Sequence, residues 1–180
     1  MVQQFRLVLK SGPDNIRKFT EDESETFKRG EMVKVSGTGT AGDILAATGE
    51  ISDGILGVAA VKGHNRTTKV RQEGEVYVIS PEQLWEIHVS SDKKPNTAYS
   101  LGANYDVAQV TSTNFTITRE AETASTTVSM RGPVLRTTAA NTASQGLVLV
   151  GYADEATRGK KGQKLIVRFA PAACISLVGL

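Results

Sequence analysis

What most constrains this chain is a period of two. Phe5, Leu7 and Leu9 alternate with Arg6 and Lys10, with Val8 breaking the pattern. Trp85, Ile87 and Val89 alternate with Leu84, Glu86 and His88, and Tyr105, Val107 and Gln109 with Asp106, Ala108 and Val110. Phe115 and Ile117 alternate with Thr116 and Thr118. Residues two apart share one face of a strand, so each run presents one apolar side to a core. Met32 to Val35, Ile55 to Val61, Val76 to Ile79, Leu147 to Tyr152 and Leu165 to Phe169 add apolar runs of strand length. Turn signals fall between the runs roughly every ten residues. Asp53-Gly54 fits a two-residue hairpin turn, and Gly159-Lys160-Lys161-Gly162 the loop of another. Helical signal is confined to Asp43 to Thr48 and Pro81 to Trp85, each with room for one turn. The pattern predicts an all-β fold, a β-barrel or β-sandwich with long loops and at most short helices.

The 180 residues suffice for one ordinary core or two small lobes. Three segments recur in the same order in both halves. Gly30 to Val35 resembles Gly102 to Val107, Ile55 to Ala59 resembles Leu149 to Ala153, and Gly74 to Ile79 resembles Gly162 to Val167. Either a β unit is repeated, or strand grammar produces matches by chance. A repeat divides the single β domain, 1–180, into lobes at about 1–90 and 96–180 joined by Ser90 to Pro95. Glu120 to Ser144, rich in Ala, Thr and Ser, then reads as an inserted arm or long loop.

Charge and chemistry point away from catalysis. Net charge is +2, and the dense charge from Lys10 to Lys34 mixes both signs, which fits a solvated face or loop. No basic stripe interleaved with aromatics marks a nucleic-acid binder. No apolar run reaches the roughly 20 residues of a membrane span, and the N-terminus has no signal-peptide pattern. The single cysteine, Cys174, excludes an intramolecular disulfide and sits in an apolar context that suits a buried thiol. Gly37-Thr38-Gly39-Thr40-Ala41-Gly42 matches the dinucleotide-binding glycine pattern. It lacks the long helix and the later acidic residue that such a site needs, and reads as a hairpin loop. His64 and His88 are too few for zinc and read as surface or edge residues. Catalytic residues, cofactor and metal are all expected to be absent.

The run Phe27 to Val35, then a Gly/Ala-rich segment, then Gly54-Ile55-Leu56-Gly57-Val58-Ala59, resembles the capsid decoration (cement, head-stabilising) proteins of tailed bacteriophages. Gly146 to Ala153 has the same character. The resemblance is best over Phe27 to Ile79. It implies a β-tulip-like body, made in the host cytoplasm and located on the virion, that binds the major capsid protein and clamps neighbouring subunits. It also implies a homo-oligomer, a trimer at a symmetry axis being one form. Such a protein needs arms or strand edges whose modest contacts the shell makes multivalent. Phe5, Leu7 and Leu9 form a candidate contact arm hinged at Ser11-Gly12-Pro13. Ile175, Leu177, Val178 and Leu180 form a candidate C-terminal contact. The alternative for both segments is pairing into the protein's own sheet. A phage tail or baseplate β protein and a carbohydrate-binding module are the other classes. The latter is weakened by an aromatic content of 6% with one Trp.

Overall fold

The computed structural model describes residues 3–22, 26–35, 43–47, 55–64, 72–89, 99–117, 126–139, 146–154 and 164–174, and the side chains of 3, 4, 108, 110–117, 126–130, 136–139 and 172 are not described. The fold is all-β. Among the described residues twelve strands run in order: β1 (Gln3–Gln4), β2 (Val8–Ser11), β3 (Ile16–Thr20), β4 (Met32–Val35), β5 (Ile44–Ala46), β6 (Ile55–Ala59), β7 (Glu73–Val78), β8 (Leu84–Val89), β9 (Asn104–Ile117), β10 (Thr126–Ala139), β11 (Leu147–Tyr152) and β12 (Lys164–Phe169). A 3-10 turn at Pro171–Ala173 is the sole helical element among the described residues.

The strands form two five-stranded units with one topology. In the first the order is β3-β7-β6-β4-β5, and in the second β8-β12-β11-β9-β10. The second closes into a barrel because β10 also pairs in parallel with β8, through Leu135 and Val89. The first curls the same way, closing at one parallel bridge between Glu21 and Ile44. The start of the second strand is equivalent as well. Gly30 and Gly102 have φ of 83° and 80°. The Gly30 N–H donates to the Ala59 carbonyl at 2.8 Å, and the Gly102 N–H to the Leu149 carbonyl at 2.8 Å. Positive φ is readily available to glycine, so the turn requires it at both positions.

The two units thus share a strand order; in it β8 belongs to the second unit and the Ser80–Gln83 turn lies between the two, while Ser90 to Pro95 lies outside the described residues. Of the three segment matches, Gly30 to Val35 with Gly102 to Val107 has the right register. The other two match the right strands but slide along them, because a two-residue period lets glycine and valine align at several offsets. The two proposed helical turns are also corrected. Residues 44–46 are strand β5, and Pro81-Glu82 is a tight turn closed by the Gln83 N–H donating to Ser80 O at 3.2 Å. The Asp53-Gly54 turn and the Gly159 to Gly162 loop lie outside the described residues.

Alternation explains the packing. In the first unit Phe27, Val33, Ile44, Leu56, Ala59 and Val76 point inward and form a small core. Met32, Ile55, Val58 and Tyr77 point to the opposite face and join the larger core of the second unit. Strand β6 is thus buried on both faces, which is why Ile55 to Ala59 shows no alternation. Trp85, fully buried, anchors the larger core with edge-on contacts to Tyr77 at 5.9 Å and Phe169 at 6.1 Å.

Two buried polar groups tie the units together. Gln109, inside the interface, accepts from the Met32 N–H at 2.6 Å and donates to the Met32 and Ala47 carbonyls at 3.1 and 2.7 Å. Gln109→Leu removes these partners at similar volume. It is expected to cost about 2–4 kcal/mol, because buried backbone groups lose their bonds. A thermal melt should fall by roughly 5–15 °C, and an unchanged melt would mean that Gln109 is not the tie it resembles. Glu31, also buried, receives the Arg131 guanidinium through Nε at 2.6 Å and Nη2 at 3.0 Å.

Candidate functional site

The N-terminal segment with Phe5, Leu7 and Leu9 takes the alternative to an arm and pairs into the chain's own sheet. Strand β1 runs parallel to β10 at Met130 and Arg131, and β2 runs antiparallel to β8 from Glu86 to Leu84. These are the stretches where β10 and β8 no longer pair with each other. The segment is a wedge filling the seam of the second barrel. Phe5 and Leu7 are buried and Leu9 is half-buried against the larger core. The Phe5 N–H donates to Arg131 O at 2.7 Å, and the Leu7 N–H to Gly30 O at 3.0 Å. The Phe5 ring lies 4.8 Å from that of His88. Gly132 (φ 123°) lets the Phe5 backbone approach, since a Cβ there would meet Phe5 O at 2.2 Å. The expected hinge is packed too: a Cβ on Gly12 would meet the Gln83 Cα at 2.7 Å. The apolar alternation that suggested an arm arises because this strand serves the chain's own core. Ile175, Leu177, Val178 and Leu180, like the Gly37 to Gly42 loop, lie outside the described residues.

Of the expected arm or long loop at 120–144, the described part belongs to strand β10 and the rest lies outside the described residues. Strands β9 and β10, 14 residues each, pair from Ile117↔Thr126 inward, and residues 126–139 are strand rather than loop. The closing pair Val107↔Leu135 of the second unit matches Val35↔Ile44 of the first. Eight residues connect the first pair and twenty-seven the second, so the ribbon elaborates one loop of the shared topology. From Thr113↔Met130 outward, among the described residues, its strands pair only with each other, apart from β1 at Met130. At about 3.4 Å per residue, that part extends on the order of 15 Å.

A shallow groove on the outside of the second barrel is lined by Ser11, Leu84, Val148, Val150 and Arg168. Leu101, 62% exposed, is next to Gly102, which also lines it. Nearby on the same barrel face, Glu86 is held between Lys10 at 3.2 Å and Lys164 at 2.9 Å. Burial pushes the Glu86 carboxyl up, but the hydrogen bonds and charges of the two lysines outweigh it and hold it below the usual value. A depressed carboxylate stabilises the fold above its unfolded pKa and loses that contribution as pH falls through the folded one. Glu86→Gln is therefore expected to flatten the acid limb of a stability–pH curve. An unaltered limb would show that the lysines do not act on it.

The sequence left one polar site unseen. Glu21 occupies the closure position of the first unit, where the second has Val89, and is fully buried. Its Oε1 lies 2.8 Å from His64 Nδ1, and its Oε2 accepts from the His64 N–H at 2.8 Å. Gly74 makes the room, since a Cβ there would meet Glu21 Oε1 at 3.0 Å. Among the described residues no three His, Cys, Asp or Glu side chains gather as a metal site. Cys174 is half-buried, and burial pushes its thiol up, which makes it a weak nucleophile. The lone Trp lies in the core, so it offers no sugar-stacking platform. No described helix is long and apolar enough to cross a membrane. Comparison with known proteins finds no matching family model, curated protein or solved structure.

Proposed function

We propose that this chain is a structural virion protein that binds the outer surface of a tailed-phage capsid and stabilises contacts between its major capsid protein subunits. The observation supporting this reading is the β9–β10 ribbon. Where the first unit joins its closing strands by a short connection, the second has a two-stranded ribbon that pairs mainly with itself, while the two units are tied to each other through Gln109 and the Glu31–Arg131 pair. A rigid body with a projecting ribbon suits a clamp, because little ordering entropy is lost on docking. Many copies on a symmetric shell then turn modest contacts into firm attachment.

Replacing residues 114–129 with Asn-Gly leaves Thr113 and Met130 flanking a two-residue hairpin turn. The shortened protein is expected to melt within a few degrees of the parent, because the described residues among those removed pair only within the ribbon. It should no longer co-sediment with undecorated capsids. Full binding by the shortened protein would exclude the ribbon as the contact.

A further inference from the structure

The two units treat their first strand differently. In the second unit the outer edge of β8 is occupied: β2 lies antiparallel along it, with Val8 opposite Glu86, Leu9 opposite Trp85 and Ser11 opposite Leu84. The registers of the shared topology make β3 the equivalent strand, with Ile16 in the place of Leu84 and Lys18 in the place of Glu86. Among the described residues no strand pairs along the outer edge of β3 from Ile16 to Phe19, and beyond its end β5 closes on Glu21 through Ile44. The Val78 N–H donates to Asn15 O and the Glu21 N–H to Gln72 O, so odd-numbered peptide groups face β7. Those of Ile16, Lys18 and Thr20 consequently point outward. The edge is a regular five-residue strand without proline, Ile16 is 41% exposed, and the Lys18 side chain is 64% exposed, its ammonium 3.9 Å from the likewise exposed Glu73 carboxylate.

We infer that this edge is a docking site for an extended, acidic segment of a partner protein, added as a strand in the way β2 is added to β8. Charge selects the occupant. Lys10 of β2 pairs with Glu86 at 3.2 Å, so the strand that belongs on β3 carries a carboxylate where β2 carries a lysine, facing Lys18. A second copy is disfavoured: antiparallel pairing centred on Lys18 sets lysine against lysine, and like charges directly opposite destabilise a sheet. The N-terminal segment of another copy would bring Lys10 to Lys18 and fails for the same reason. Lysine on an edge also blocks uncontrolled sheet growth. Here it does so while leaving the outward peptide groups available to an acidic strand. This inference does not rest on the capsid reading.

The test uses two fluorescein-labelled peptides with the sequence of residues 5–12, one native and one with Lys10→Glu, titrated against the full chain by fluorescence anisotropy. The glutamate peptide is expected to bind about tenfold or more tightly than the native one, the difference corresponding to a charge-assisted contact. It should slow amide exchange at Ile16, Lys18 and Thr20. In Lys18→Glu the preference should reverse. In Lys18→Pro, checked by its melting curve, both peptides should lose binding, since the outward N–H is gone. Absence of binding by the glutamate peptide, equal binding of the two peptides, or a preference unchanged in Lys18→Glu would overturn the inference. The last of these does not depend on Lys18→Pro folding.

Discussion

Deleting Met1 to Lys10 is expected to lower the melting temperature by at least roughly 15 °C or to abolish cooperative unfolding. The deletion removes Phe5, Leu7 and Leu9 from the larger core and opens the seam between β8 and β10. Truncating a buried Phe costs about 3–5 kcal/mol and a buried Leu about 2–5. Whole domains are stable by only about 5–15 kcal/mol, and each kcal/mol moves the melt of a chain this size by about 2–4 °C. The backbone adds to the loss. Arg131 O and Gly30 O give up the Phe5 and Leu7 N–H groups. A truncated protein that melts with the parent would show that the segment does not occupy the seam. Phe5→Ala separates packing from chain length, and it should reproduce about a third of the loss, an amount consistent with one large side chain of three.

Arg131→Ala is expected to be the most damaging single polar substitution, at about 3–5 kcal/mol, because it leaves the Glu31 carboxylate buried without its partner. Arg131 also donates to Thr26 O at 2.6 Å, and Glu31 accepts from the Lys28 N–H at 2.9 Å. One guanidinium thus fixes the loop before β4 to strand β10 of the other unit. Replacing both partners, Glu31→Gln with Arg131→Met, should be milder than Arg131→Ala alone, since no unpaired charge remains. Chemical denaturation of the three variants measures this. A double variant as unstable as Arg131→Ala would mean that shape, and not the stranded charge, sets the loss.

Residue alternation made the strands legible. Leu84 to Val89 shows why: a strand with one buried face writes its burial into every second residue, and Trp85, Ile87 and Val89 are buried as the pattern requires. Ile16 to Thr20 was missed because an edge strand carries little apolar signal, and Arg17 and Lys18 made it read as a charged loop. Residues 44–46 were missed because three residues are too few to show a period. For the N-terminus, alternation established a strand but not its partner. A donated arm and a seam-filling wedge need the same apolar face, and only the register against β8 and β10 separates them. The polar ties were beyond reach for a different reason. Gln109 and Met32 are 77 positions apart, and Glu31 and Arg131 are 100 apart, so nothing local marks either pair.

The proposed role on a shell is tested most directly by incubating the chain with undecorated tailed-phage capsids and imaging the particles by electron cryo-microscopy. Added density at fixed symmetry positions on the outer surface is expected, with a two-stranded projection reaching between capsid subunits. Particles that stay bare across a panel of shells, while the protein remains folded, would contradict a capsid-binding function.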